Sequence, residues 1–222
     1  MKKILLSSAL LMSMMFSAQI DFSSTRFGLT VGGNYSRVKN AHNPSGPRYT
    51  MQAGFLALTP IGVDDQFYIQ TELTYFGAGE TGKDKFAKGS PGYKAVYANS
   101  YLSIPISFKG YFSEAESEFF AFGGPRFNFL VGQKVTNPAE PGYSVEGDPN
   151  VPGFNGKANG FNFGIGVGMG FSYKRQLEFS VRYDMVLSNT YKGLMKEPGL
   201  DENIEKKKSE QVISISLSYI FE

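Results

Sequence analysis

The stretch from Phe161 to Tyr173 reads FNFGIGVGMGFSY. Phe161, Phe163, Ile165, Val167, Met169, Phe171 and Tyr173 take the odd positions, and Asn162, Gly164, Gly166, Gly168, Gly170 and Ser172 the even ones. A period of two puts successive side chains on opposite faces of an extended chain, so this segment is a strand with one apolar face and one face of glycine and small polar groups. In a helix the same apolar residues would be spread around the whole circumference. Nor is the glycine run a phosphate loop, because strict alternation continues the strand and opens no helix.

The alternation recurs along the chain. Its apolar faces are Phe27, Leu29, Val31 and Tyr35; Tyr49, Met51, Ala53, Phe55 and Ala57; Phe67, Ile69, Leu73 and Tyr75; and Leu102, Ile104, Ile106 and Phe108. Further along they are Phe119, Ala121, Phe127, Phe129 and Val131; Leu177, Phe179, Val181, Tyr183 and Met185; and Ile213, Ile215, Leu217, Tyr219 and Phe221. That makes eight strands of about 9 to 13 residues. Globular strands commonly run to about 5 to 6 residues, whereas a tilted membrane-spanning strand needs about 9 to 11.

The connections carry a second periodicity. Pro60 to Asp65, Ser113 to Ser117 and Lys174 to Gln176 are short, and they alternate with long segments at Lys39 to Pro47, Gly77 to Ala95, Gly132 to Gly160 and Asn189 to Glu210. Short periplasmic turns alternating with long extracellular loops are the plan of an outer-membrane barrel. The fold class expected is therefore all-β, an eight-stranded antiparallel up-and-down transmembrane β-barrel.

Composition agrees. The chain of 222 residues holds 26 Gly, 20 Phe and 13 Tyr, with no Trp and no Cys. Glycine well above its usual share of roughly 7%, without a G-X-Y period and beside many aromatics, excludes collagen and simple disorder. No apolar run reaches the roughly 18 residues of a membrane helix. The longest, Ile4 to Phe16, follows Lys2 and Lys3 and precedes Ser17 and Ala18, so residues 1–18 read as a secretory signal peptide and 19–222 as the barrel domain. Removing Lys2 and Lys3 from the 22 basic residues leaves them equal to the 20 acidic ones. A formally neutral chain has no electrostatic basis for binding nucleic acid. Without cysteine, an exported chain cannot rely on disulfides.

Alternation alone does not say which face looks outward. Glycine, serine and scattered charge suit a narrow lumen better than a soluble exterior, because an eight-stranded interior is just wide enough for side chains to fill. Aromatics cluster near the strand ends of the apolar face: Phe27, Phe67, Phe112, Phe119, Tyr173 and Phe221 on the short-turn side, and Tyr35, Tyr49, Tyr75, Phe129 and Phe161 on the other. Such girdles mark the two membrane interfaces. The expected lumen charges balance, with Lys109, Arg126 and Arg182 against Glu72, Glu178 and Asp184. A balanced set in a low-dielectric lumen points to a cross-linked polar core and a closed or nearly closed barrel. Pro105 and Pro125 fall in mid-strand, where each removes a ladder donor; a bulge, a twisted stretch or an unused donor position is expected at each.

Leu102-Ser103-Ile104-Pro105, Phe122-Gly123-Gly124-Pro125, the Gly164 to Gly170 ladder, Arg182-Tyr183 with Leu187-Ser188-Asn189, and the aromatic last strand together resemble the PorT-like outer-membrane β-barrel domain. The resemblance covers nearly the whole chain after the leader and rests on order and spacing. It implies an eight-stranded barrel in a Gram-negative outer membrane and, through the member that names the family, an association with a protein-secretion apparatus. Outer-membrane assembly signals usually end on an aromatic, whereas here Glu222 follows Phe221.

Chemistry is sparse. His42, in the first long loop, is the single histidine, so no zinc set or HExxH motif exists and no catalytic, cofactor or metal residues are assigned. Lys83, Lys85, Lys88 and Lys94 outnumber Glu80 and Asp84 in the second long loop and are candidate contacts for lipopolysaccharide phosphates. The Pro-rich Gly132 to Gly160 loop is the candidate partner-contact segment. The expectation is thus a non-enzymatic outer-membrane barrel acting through surface loops or envelope partners, with outer-membrane lipid, lipopolysaccharide and the assembly machinery as its surroundings. Three alternatives stand beside it: a secretion-apparatus component, a lipid-modifying enzyme using His42, and a secreted soluble barrel around an apolar ligand.

Overall fold

The computed structural model describes residues 22–41, 45–62, 65–82, 94–137, 157–192 and 207–221. The leader, His42, Lys83, Lys85, Lys88 and most of the Pro-rich segment lie outside the described residues. Eight long strands are present: β1 (Arg26–Lys39), β2 (Arg48–Ile61), β3 (Phe67–Gly82), β4 (Ala95–Tyr111), β5 (Ser117–Thr136), β6 (Phe161–Tyr173), β7 (Leu177–Val186) and β8 (Ser209–Ile220). Each pairs antiparallel with the next, and β8 returns to β1 with Gly28 opposite Ile220 and Lys39 opposite Ser209. The sheet is closed, so no strand among the eight is left with an unpaired edge.

Residues 62–66, 112–116 and 174–176 form the connections at one end, and 40–47, 83–94, 137–160 and 187–208 those at the other. Several strands reach further toward the long-loop end than the sequence reading has them. β3 runs through Gly77 to Gly82, β5 through Gly132 to Thr136, and β8 begins at Ser209. The glycines that read as loop punctuation are strand residues. Two-residue ladders add to this end: Ser45–Gly46 against Thr81 and Gly82 of β3, and Lys157–Ala158 against Tyr191–Lys192.

The apolar faces point outward. Val167 is 58% and Met169 69% exposed, as are Phe55, Phe119 and Ile215 to similar degrees, while the even positions of β6 from Asn162 to Ser172 face the interior. This orientation is opposite to that of a soluble carrier with an apolar cavity. The glycine face of β6 is a trough that other side chains fill. A Cβ on Gly166 would strike the Asp184 carboxylate and the Arg182 guanidinium, one on Gly168 the Phe122 ring, and one on Gly170 the Phe120 ring. Bare backbone on β6 therefore makes room for the bulk supplied by β5 and β7.

Each proline sits at a break in one ladder. The β3–β4 pairing stops at Thr71 opposite Ile106 and resumes at Thr74 opposite Ser103, leaving Pro105 in the gap. The β4–β5 pairing stops at Pro105 opposite Arg126 and resumes at Phe108 opposite Gly123, leaving Pro125 in the gap. On its other side Pro125 pairs without a break, opposite Ile165. The register is the same on both sides of each break, so neither proline makes a bulge. The bulge lies elsewhere, where the register shifts between Ser100 and Tyr101 against β5.

Candidate functional site: the charged lumen

The interior is layered along the barrel axis. Toward the short turns, Leu56, Leu58, Tyr68, Tyr111, Phe120, Phe122 and Ile220 form an apolar cluster. Toward the long loops, Phe76, Ala78, Tyr101 and Val212 form a second, and Val38, Ala95, Tyr97, Ala158 and Tyr191 a third. Sequence reading missed these clusters, because it gave aromatics to the outer face only. Phe120 and Phe122 continue the even, inward row of β5 and were legible by strict parity.

Six charges are buried with these clusters, Lys109 and Glu178 within the short-turn cluster and Glu72, Arg126, Arg182 and Asp184 toward the middle of the barrel. Lys109 of β4 reaches across the lumen to Glu178 of β7 at 2.5 Å, and the Tyr111 hydroxyl donates to the other Glu178 oxygen at 2.6 Å. The Lys109 ammonium also sits 4.1 Å from the Phe120 ring centroid. Arg126 of β5 pairs with Asp184 of β7, and Nε of Arg182 donates to the second Asp184 oxygen at 2.9 Å. Arg182 Nη1 continues to Glu72 of β3 at 3.2 Å, and Gln70 Nε2 donates to the same carboxylate at 2.8 Å. Arg126 is further held by Ser103 and Asn128 and lies over the Phe76 ring at 4.1 Å. The six residues form one pair and one four-membered chain linking β3, β5 and β7. A cavity of about 20 Å³ adjoins this chain, lined by Gln70, Glu72, Thr74, Arg126 and Arg182 among others. That is room for about one water.

Four more charges that the sequence reading put in loops or turns are buried or half-buried. Glu80 and Glu210 are 0% exposed, and Lys208, two residues before Glu210, is buried as well. The signal was present: Phe76, Ala78 and Glu80 continue the inner row of β3, and Glu210 continues that of β8. Arg175, in the tightest turn, is the fourth. Its Nε donates to Glu118 at 2.6 Å, its Nη1 to the Asp65 carbonyl at 2.5 Å and its Nη2 to the Ser113 carbonyl at 3.5 Å. The Glu118 bond raises the Arg175 guanidinium above its ordinary value. Lys94, the described member of the four loop lysines, is exposed at the start of β4.

A closed eight-stranded barrel with an apolar belt outside and paired charges inside defines the class of small outer-membrane barrels. Residues 17–192 match the family described as outer membrane protein beta-barrel domain, and the chain belongs to that family. Membership implies an outer-membrane location. No curated protein matches the chain. Among solved structures it is similar to the outer membrane enzyme PagL, at 13% identity and a TM-score of 0.47, covering 86% of this chain and 98% of that one. It is also similar to Neisserial surface protein A, at 12% and 0.45 over 88% and 97%. A third is OprG from Pseudomonas aeruginosa, at 13% and 0.45 over 89% and 94%. Likeness at this level carries no activity from any of them to this chain.

Proposed function

We propose that the protein is a non-conducting outer-membrane barrel, with its long loops outside the cell and its short turns in the periplasm, that acts through its loop end on envelope partners and not by catalysis. One observation carries this reading. Six lumen charges are spent on one another among apolar clusters, and the cavity beside the four-membered chain has room for about one water. Ions crossing such a lumen would have to displace buried pairs whose breakage costs about 3–5 kcal/mol each. The PorT-like pattern of Leu102 to Pro105, Phe122 to Pro125 and Arg182-Tyr183 supports the finer reading of contact with a secretion or assembly apparatus. Planar-bilayer recording of the purified full chain tests the closed lumen. Baseline leak is expected, and stable unitary steps would overturn it. Deletion followed by a census of secreted proteins tests the finer reading, which an unchanged census would sink. Unaltered lipid A in overexpressing cells is expected of a non-enzyme.

A further inference from the structure

The outer wall where β1 meets β8 differs from the rest of the lipid-facing belt. Arg37 and Lys39 point outward from β1, two residues apart and thus about 7 Å apart along the strand. Lys207, also exposed, is brought beside them because Asn40 Nδ2 donates to its carbonyl at 3.1 Å. Directly below lie Tyr35 and Tyr49, edge to face at 5.5 Å between centroids. Below Tyr35 the outward row reaches Gly33, flanked by Met51 on β2 and Ile215 on β8. A Cβ on Gly33 would meet nothing closer than the Thr50 carbonyl at 3.9 Å, so the wall is notched there. From the loop end inward, the order is three cations, an aromatic pair and a groove walled by apolar side chains. Among the described residues the exposed carboxylates, Asp65, Glu114 and Glu116, all lie at the opposite, short-turn end.

We propose that this seam binds lipopolysaccharide, with Arg37, Lys39 and Lys207 on headgroup phosphate, Tyr35 and Tyr49 against the sugar, and one acyl chain in the notch at Gly33. Cations just beyond an aromatic girdle stand at headgroup depth, where each is attracted to anionic lipid. The seam is continuous with the apolar belt, so a ligand there must combine anionic charge with acyl chains. The assignment rests on the long loops facing the outer leaflet, but its test is independent of conductance.

The test measures binding of rough lipopolysaccharide, dephosphorylated lipid A and phosphatidylglycerol to the full chain purified in detergent. Arg37→Gln/Lys39→Gln/Lys207→Gln is expected to weaken lipopolysaccharide binding at least about tenfold. Lys134→Gln, exposed on β5 away from the seam, should leave it within about twofold. Dephosphorylated lipid A and phosphatidylglycerol should each bind the parent at least about tenfold more weakly. Gly33→Phe, which fills the notch without changing charge, should also weaken lipopolysaccharide binding. Every substituted residue faces outward, and heat-modifiable gel migration confirms that each variant is folded. Lipopolysaccharide binding to the triple variant within twofold of the parent, or equal affinity of the parent for phosphatidylglycerol, overturns the site. Unchanged binding to Gly33→Phe overturns its acyl-chain part.

Discussion

Asp184→Asn isolates the energetic weight of the lumen lattice. Asp184 touches two guanidiniums, Arg126 through one oxygen and Arg182 through the other. Removing its charge leaves Arg182 with Glu72 but leaves Arg126 with neutral partners, Ser103 and Asn128, deep inside the barrel. Arg126 is 3% exposed, so bulk water does not compensate. Breaking a buried pair from one side costs about 3–5 kcal/mol, most of it the cost of the orphaned charge. It follows that Arg126→Met/Asp184→Leu, which removes both charges, should cost much less than Asp184→Asn alone. The chain has no Trp, so unfolding is best followed by heat-modifiable gel mobility or circular dichroism along a urea series in detergent. A cost below about 1 kcal/mol for Asp184→Asn would match an exposed pair. It would refute the dry, cross-linked lumen.

Other expectations use the same assay. Tyr111→Phe removes the hydroxyl bond to the buried Glu178 carboxylate and should cost about 1.5–3 kcal/mol, the range for hydrogen bonds to charged groups. Gly168→Ala meets the Phe122 ring and the Val181 carbonyl oxygen, so a loss of about 1–3 kcal/mol is expected. Gly33→Ala meets open space on the lipid side and should stay within about 0.5 kcal/mol of the parent. Arg175→Ala leaves Glu118 buried without its guanidinium and should lower stability by about 1.5–3 kcal/mol.

Strand number was legible in a period of two repeated along the chain, the barrel plan in the alternation of short and long connections, and the outward apolar face in the aromatic girdles with glycine and charge opposite them. Strand ends were not. Gly77 and Gly132 read as breakers, yet at both the ladder continues because the partner strand β4 extends equally far toward the loops. The six lumen charges could be named from parity, but not their partners. Lys109 and Glu178 belong to strands that are not hydrogen-bonded neighbours, and their meeting depends on barrel diameter and stagger, which no single strand encodes. Arg175 was illegible for a different reason. Its turn is built from Lys174 and Arg175 at φ values of 54° and 53°, where Asn-Gly would be the expected pair, so no local turn signal marks it.

That turn bears on the order in which the barrel is put together. Two side-chain-bearing residues in the left-handed region raise the energy of the β6–β7 hairpin when it stands alone, by a cost of order 1–3 kcal/mol per residue. The compensating contacts of Arg175 come from the turns of the two other short hairpins, at Asp65 and at Ser113, and from Glu118 at the start of β5. The β6–β7 hairpin is thus a poor nucleus and a good latch. It gains its full stabilisation only once β2–β3 and β4–β5 stand beside it with their turns at the same level, so Arg175 ties the three short turns to a common register.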